Sequence, residues 1–381
     1  MARKDKPIKI KRHKNSMGSV STGRSAAKKI VPLVVAGVLV VAVGFALGRP
    51  LLNLISGAGK DDTPPPQESI STTVPQTTPA PEAEEDTVTE IPEEQPAVTP
   101  GVVQTANRVY YHADASALST ENGIKAVIRK MQEKGATHLV FEAKNQDGYV
   151  HYASANQYAS QLPAAVQIDI PGLVSQLKAA GITPVATVYT FKDKMISTVE
   201  RSTAVMYRGT DTRWLDTSAA LGGKAWANPA SKLMQEYIIA LTDELLSMGV
   251  TEIIYAGFST PTGYSLDKRD FGASTEQVLA NMKSLIGTLK AKISAKGGHS
   301  TWLFEYTAVE AEGNYAQYIV HPYQLGAENM IITAGGDIDV AGAVSALKTA
   351  ESQDDIGEIT LWLTDGTNTE ETKTLGSYFV S

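Results

Sequence analysis

The chain has 381 residues, 43% of them apolar and none of them cysteine, with a formal net charge of −7. The absence of thiols excludes disulfides, thiolate metal sites and a cysteine nucleophile. The charge is divided: Met1–Lys29 carries ten Lys and Arg against one acid, while everything after it is net acidic, so the two ends suit different surroundings.

Taken in chain order, Ile30–Gly48 comes next, nineteen residues without a charged side chain. At about 1.5 Å per residue they span roughly 28 Å, the thickness of a bilayer's hydrocarbon core. Lys28 and Lys29 precede the run, and the basic arm 1–29 predicts a cytoplasmic N-terminus with the rest of the chain outside. A cleaved signal peptide, with Ala46 and Gly48 as small residues at the cut, is the competing reading. The basic arm reads as a flank set against anionic lipid rather than as a nucleic-acid surface. Residues 49–106 read as a linker. Within it Asp61–Pro100 holds nine prolines, ten acids and no Lys or Arg. Such a composition offers too little apolar surface to offset the entropy of ordering, which predicts a disordered, extended spacer.

From residue 107 to 381 short apolar runs alternate with helical patterns. Strands are expected over Arg108–His112, His138–Ala143, Pro184–Phe191, Glu252–Gly257, Thr301–Thr307, Asn329–Thr333 and Glu358–Leu363. Helices are expected over Glu121–Lys134, Ile170–Ala180, Pro229–Met248, Thr275–Lys296 and Ala341–Ala350. The third shows a sheet-covering stripe at Leu233, Tyr237, Ile238, Leu241 and Leu245, closed by Gly249. Apolar strands separated by amphipathic helices imply a parallel sheet covered by helices. The length fits an α/β fold of the (β/α)8 TIM-like barrel type, with Tyr318–His321 as the candidate eighth strand.

In such a barrel, chemistry sits beyond the C-terminal ends of the strands. Those positions hold Asp114, Glu142, Lys144, Lys192, Asp193, Glu305 and Asp365, with Tyr149, Tyr189, Phe258, Tyr306 and Trp362 among them. Acids with aromatics suit a sugar: rings stack on aromatic faces, and glycoside cleavage uses one carboxyl as acid and another as base or nucleophile. Plainer roles compete. Glu142 and Lys144 could form a structural ion pair, Asp193 a helix cap, Trp226 and Trp362 core aromatics, and Asp147–Gly148 a turn. No phosphate loop, HExxH or GxSxG is present, and the six histidines lack ligand spacing, so neither a cofactor nor a metal is expected.

Three segments carry a resemblance: THLVFEAKNQDGYVHYAS at Thr137–Ser154, GITPVATVYTFKDK at Gly181–Lys194, and AWANPASKLMQEYIIALTDELLSMGVTEIIYAGFSTP at Ala225–Pro261. Together with LWLTDG at Leu361–Gly366, they resemble the glycoside hydrolase domain of exported bacterial proteins, a TIM barrel. The resemblance implies activity on an envelope or extracellular polysaccharide. It also marks departures. Ala256 stands where that family has an Asp, and Ser259 and Thr187 stand where it has Arg. Glu142 and Glu305 are the acids left to serve as a catalytic pair, with Lys144, Tyr189, Asp193, Tyr306 and Trp362 as substrate contacts. The alternatives are a barrel that binds glycan or a protein partner without turnover, and a purely structural scaffold.

Overall fold

The computed structural model of the protein describes residues 107–310, 316–335, 338–353, 356–364 and 370–381. The basic arm, the run Ile30–Gly48, the linker 49–106 and Asp365 lie outside them. Among the described residues no helix is long and apolar enough to cross a membrane.

Eight strands form one parallel sheet: β1 Val109–His112, β2 His138–Lys144, β3 Thr183–Tyr189, β4 Glu252–Ala256, β5 His299–Glu305, β6 Asn329–Ala334, β7 Glu358–Leu363 and β8 Tyr378–Val380. From β1 to β7 each strand pairs with the next in sequence, and β8 pairs not with β7 but with β1, with Tyr110 opposite Phe379. The last seam, between β7 and β8, is filled by side chains: the Trp362 and Phe379 rings stack 4.3 Å apart at 6°. The sheet is therefore a nearly closed barrel.

Because successive side chains alternate between faces, each strand feeds two cores. Inward, one residue per strand makes a single layer: Tyr110, Val140, Val185, Ile254, Ile331 and Phe379, with Leu303 and Trp362 packed on them. Outward, Phe141, Tyr255, Trp302 and Phe304 join the apolar faces of the helices in a second, larger core. Those helices are α1 Glu121–Lys134, α2 Ile170–Ala179, α3 Lys232–Ser247, α4 Thr275–Ser294 and α5 Val340–Gln353. Hydroxyls start three of them: Thr120 accepts the N–H of Gly123, Ser231 that of Met234, and Ser274 that of Gln277 in a capping box.

Below the inner layer, at the N-terminal ends of the strands, the barrel is floored by charge. Arg108 Nη1 lies 2.5 Å from Glu358 and its Nε 3.4 Å from Glu252. His138 approaches Glu252 at 3.6 Å and His299 approaches Glu358 at 3.7 Å. Glu252 is held below the usual carboxyl range: burial opposes its ionisation, but His138, Arg108 and His299 together outweigh it. His299 is lowered by burial first and by Arg108 second.

All seven strands expected from sequence are present, and the eighth is elsewhere. Tyr318–His321 is not a strand: Tyr318 ends the 3-10 turn Ala316–Tyr318, and Ile319 takes a φ of 70°, which no strand tolerates. Its place is taken by the three-residue β8. The fifth strand also stops earlier than expected, because Tyr306 opens the short helix Tyr306–Glu310. Two excursions, after β3 and after β4, meet in the two-residue ladder Met206–Tyr207 with Arg269–Asp270 around a buried cluster of Val205, Trp214 and Trp226.

Candidate active site at the barrel mouth

The inward face of each strand continues upward into the mouth. Glu142 on β2 shares its face with Val140, and Tyr189 on β3 shares its face with Val185. Glu305 ends β5 above Leu303, and Trp362 sits on β7. A cavity of about 310 Å³ opens here, walled by Tyr189, Lys192, Trp226, Phe258, Glu305, Tyr318 and Trp362 with the neutral polar groups Gln146, Ser259, Gln317 and Thr333. Its volume is at the lower end of the range for small-ligand pockets. A smaller recess of about 230 Å³ continues from Glu305 along Tyr306, Thr333 and Ala334.

Glu142 and Glu305 stand three strands apart, on facing walls. Tyr189 lies between their fields: its phenol is pushed up to about 12, by burial first and then by Glu142 and Glu305. Burial also raises the Glu142 carboxyl, and Asp114 at the end of β1 raises it further. Tyr318 is raised by burial and then by Glu305. The excursion after β4 is tied down over the mouth by Thr260, whose N–H and Oγ1 both donate to the Gln317 carbonyl at 2.7 and 2.9 Å. This clamp sets Gln317 and Tyr318 beside Glu305.

Among the other expected contacts, Tyr189 and Trp362 line the main cavity and Tyr306 lines the recess. Trp362 has two roles, since one face closes the barrel seam and its edge meets the cavity. Lys144 and Asp193 do not reach the mouth. A bulge between Glu142 and Lys144 turns Lys144 to the outer face of β2, where it is wholly buried. There Lys144 Nζ lies 2.8 Å from Asp193 Oδ2, donates at 2.6 Å to the Tyr189 carbonyl, and sits 5.9 Å over the Tyr237 ring. Asp193 Oδ1 accepts the N–H groups of Met195 and Ile196 at 2.8 and 2.9 Å, so Asp193 caps the short helix Ile196–Val199. The expectation of direct substrate contact by these two is therefore corrected: they form a buried pair that supports Tyr189 from behind. The Glu142–Lys144 ion pair considered from sequence is also replaced, by Lys144–Asp193.

The turn behind this pair shows why its glycine is needed. Gly148 has a φ of +97°, and a Cβ there would stand 1.9 Å from Asp193 Oδ1. Asn145 Oδ1 holds the turn by accepting the N–H groups of Asp147 and Tyr149. Ala256 ends β4 on the inward face and is fully buried, with Thr187 and Ser259 also buried nearby. The wall between Tyr189 and Glu305 is thus neutral where the resembled family has an Asp and an Arg. Sequence reading missed Gln146, Gln317, Thr333 and Tyr318 as mouth residues. Thr333 was legible only through the strand register, while Gln146 sits in a turn and Gln317 and Tyr318 in the 3-10 turn Ala316–Tyr318, where no periodic pattern marks them. Among the described residues no cluster of three or more His, Asp or Glu suits a metal ion.

A family model described as "Putative glycosyl hydrolase domain" matches residues 109–311. No curated protein matches the chain. Among solved structures, the glycoside hydrolase domain of PgaB (BpsB) from Bordetella bronchiseptica is similar, with a TM-score of 0.53, 12% identity, and coverage of 72% of this chain and 94% of that one. A hypothetical protein from Ruminiclostridium thermocellum gives 0.42 and 16% over 50% of this chain and 96% of that one. A GH20 exo-β-N-acetylglucosaminidase from Vibrio harveyi, solved with N-acetylglucosamine, gives 0.46 and 10% over 68% of this chain and 41% of that one. At 12% identity the Bordetella domain shares the fold.

Proposed function

Because the chain belongs to the glycosyl hydrolase domain family whose model matches residues 109–311, the first five strands of its barrel, we propose that it is a membrane-anchored, extracytoplasmic protein acting on a cell-envelope or extracellular polysaccharide. The observation that carries the reading is the mouth itself: Glu305 lines the aromatic-walled cavity, Glu142 ends the inward face of β2, and Tyr189 between them feels the charge of both. Glu142, whose carboxyl is raised by burial first and then by Asp114, is the one of the two that acts as the general acid on the glycosidic oxygen. Glu305, exposed at the end of β5, acts as nucleophile or as base toward water. Tyr189, Tyr306 and Trp362 offer faces and hydroxyls to the sugar, while Lys144 and Asp193 fix the backbone under Tyr189.

The test is glycan hydrolysis by the purified full-length protein beside Glu142→Gln and Glu305→Gln. Loss of product release in both, with folding intact, supports the acid pair; unchanged release in either removes that residue from the mechanism. A second reading has its own support. Ala256, buried at the inward end of β4, replaces a carboxylate of the family pattern, which favours a barrel that binds glycan without cleaving it. Binding without turnover in every variant would select it. Anchoring rests on Ile30–Gly48, an uncharged span with Lys28 and Lys29 before it. Release of the protein from membranes by alkaline carbonate would refute an uncleaved span.

A further inference from the structure

Lys144 ends β2 and Lys192, Lys194 and Lys224 lie on the excursion after β3; three of these four lysines are in ion pairs. Lys144 is paired with Asp193 at 2.8 Å, and Lys194 and Lys224 share Asp147 at 3.1 and 2.8 Å. The fourth, Lys192, is half-buried, lines the main cavity beside Glu305, Trp226 and Gln317, and has no ion pair or hydrogen bond through its ammonium group among the described residues. Its position is fixed. Its neighbours Phe191 and Asp193 are wholly buried on either side, and the Phe191 N–H donates to the Gly257 carbonyl at 3.2 Å. Gly257 has a φ of +61°, and a Cβ there would come within 2.9 Å of the Lys192 Cβ, so the two loops are pressed together at the cavity wall.

A partly desolvated ammonium without a counter-charge is stabilised by an anion brought to it. Glu305 shares the cavity, but no ion pair joins it to Lys192. We infer that Lys192 is a specificity-determining residue that selects an anionic glycan, one bearing a carboxylate or phosphate group on the sugar bound at the mouth. Gln146, Ser259 and Gln317 line the same cavity and are amide and hydroxyl donors for the remaining oxygens of that group. This inference rests on the glycan reading above and narrows it to a substrate class.

The test measures binding to the full-length protein in detergent by calorimetry, with three probes: a tetragalacturonate, a phosphorylated mannotetraose and a neutral tetragalactose. At least one acidic probe is expected to bind more tightly than the neutral one, and which one it is identifies the acidic group. Lys192→Gln should weaken that binding by about 10- to 100-fold, the loss of one charge-assisted hydrogen bond. Lys192→Arg should restore most of it, and the neutral probe should not respond to either change. Equal affinity for acidic and neutral probes, or acidic binding indifferent to Lys192→Gln, overturns the inference and leaves the glycan reading standing. If no probe binds, the glycan reading falls and this inference with it.

Discussion

The two ends of the barrel are built from the same residue types to opposite purposes. At the floor, Arg108 bridges Glu252 and Glu358, His138 approaches Glu252 and His299 approaches Glu358, and Glu252 ionises more readily than a free carboxyl. At the mouth, Asp114, Glu142 and Glu305 have no cation paired to them among the described residues, and Glu142 ionises less readily. Ionised Glu252 at the floor therefore adds to stability near neutral pH, and ionised Glu142 at the mouth subtracts from it. That is the pattern of a scaffold that stabilises one end and leaves the other free to react.

The sharpest way to break this comparison is at the mouth. Glu142→Gln should reduce glycan hydrolysis by about 100- to 10,000-fold, the usual contribution of a general acid, while the melting temperature stays level or rises. A fall in melting temperature would mean that Glu142 is structural. Next in size is the floor: Arg108→Met leaves two buried glutamates without their shared cation and should cost about 3–5 kcal/mol in urea unfolding. Asp193→Asn keeps the capping oxygen but strands Lys144, and should behave like a floor variant, with a loss in the same range.

Acid sharpens the contrast further. Glu252 has a depressed folded value, so its stabilisation is complete above the unfolded carboxyl range and is lost as pH falls through the folded value. His299 is also depressed, so below about pH 6.5 the unfolded chain takes up the proton more readily, again favouring unfolding. Thermal melts should therefore show a loss of stability from His299 below about pH 6.5 and a further loss below the ordinary carboxyl range, down to about pH 3, and Glu252→Gln should flatten that lowest part of the slope. The smallest effect expected is Gly148→Ala, about 1–3 kcal/mol from its left-handed backbone and the clash with Asp193, read by the same unfolding assay.

Most of the fold was legible because seven strands are largely buried on both faces and read as short apolar runs between amphipathic helices. The eighth was not, since Tyr378–Val380 is three residues long and Tyr318–His321 has a similar composition. Only the φ of Ile319, set by its surroundings, tells them apart. At the mouth, Glu142, Tyr189, Glu305, Tyr306 and Trp362 were legible from the rule that strand ends carry the site. Lys144 obeyed the same rule on paper and was turned away by a bulge. Its partner Asp193 is 49 residues distant, a pairing that no local pattern announces. The floor was missed because its members stand at strand beginnings, scattered from Arg108 to Glu358.

The return of β8 to β1 has a consequence for how the protein is made. Arg108 donates its N–H to Ser377 Oγ across 269 residues, and Tyr110 finds Phe379 only when that distant segment is present. During synthesis, β1 must wait with one edge unpaired while nearly the whole barrel is assembled beside it. The ring is sealed by its latest-made strand, so a ribosome that stalls shortly before residue 377 leaves an open, adhesive edge. Closure is thus a single late event, and quality control that samples the nascent chain before it would meet an incomplete sheet.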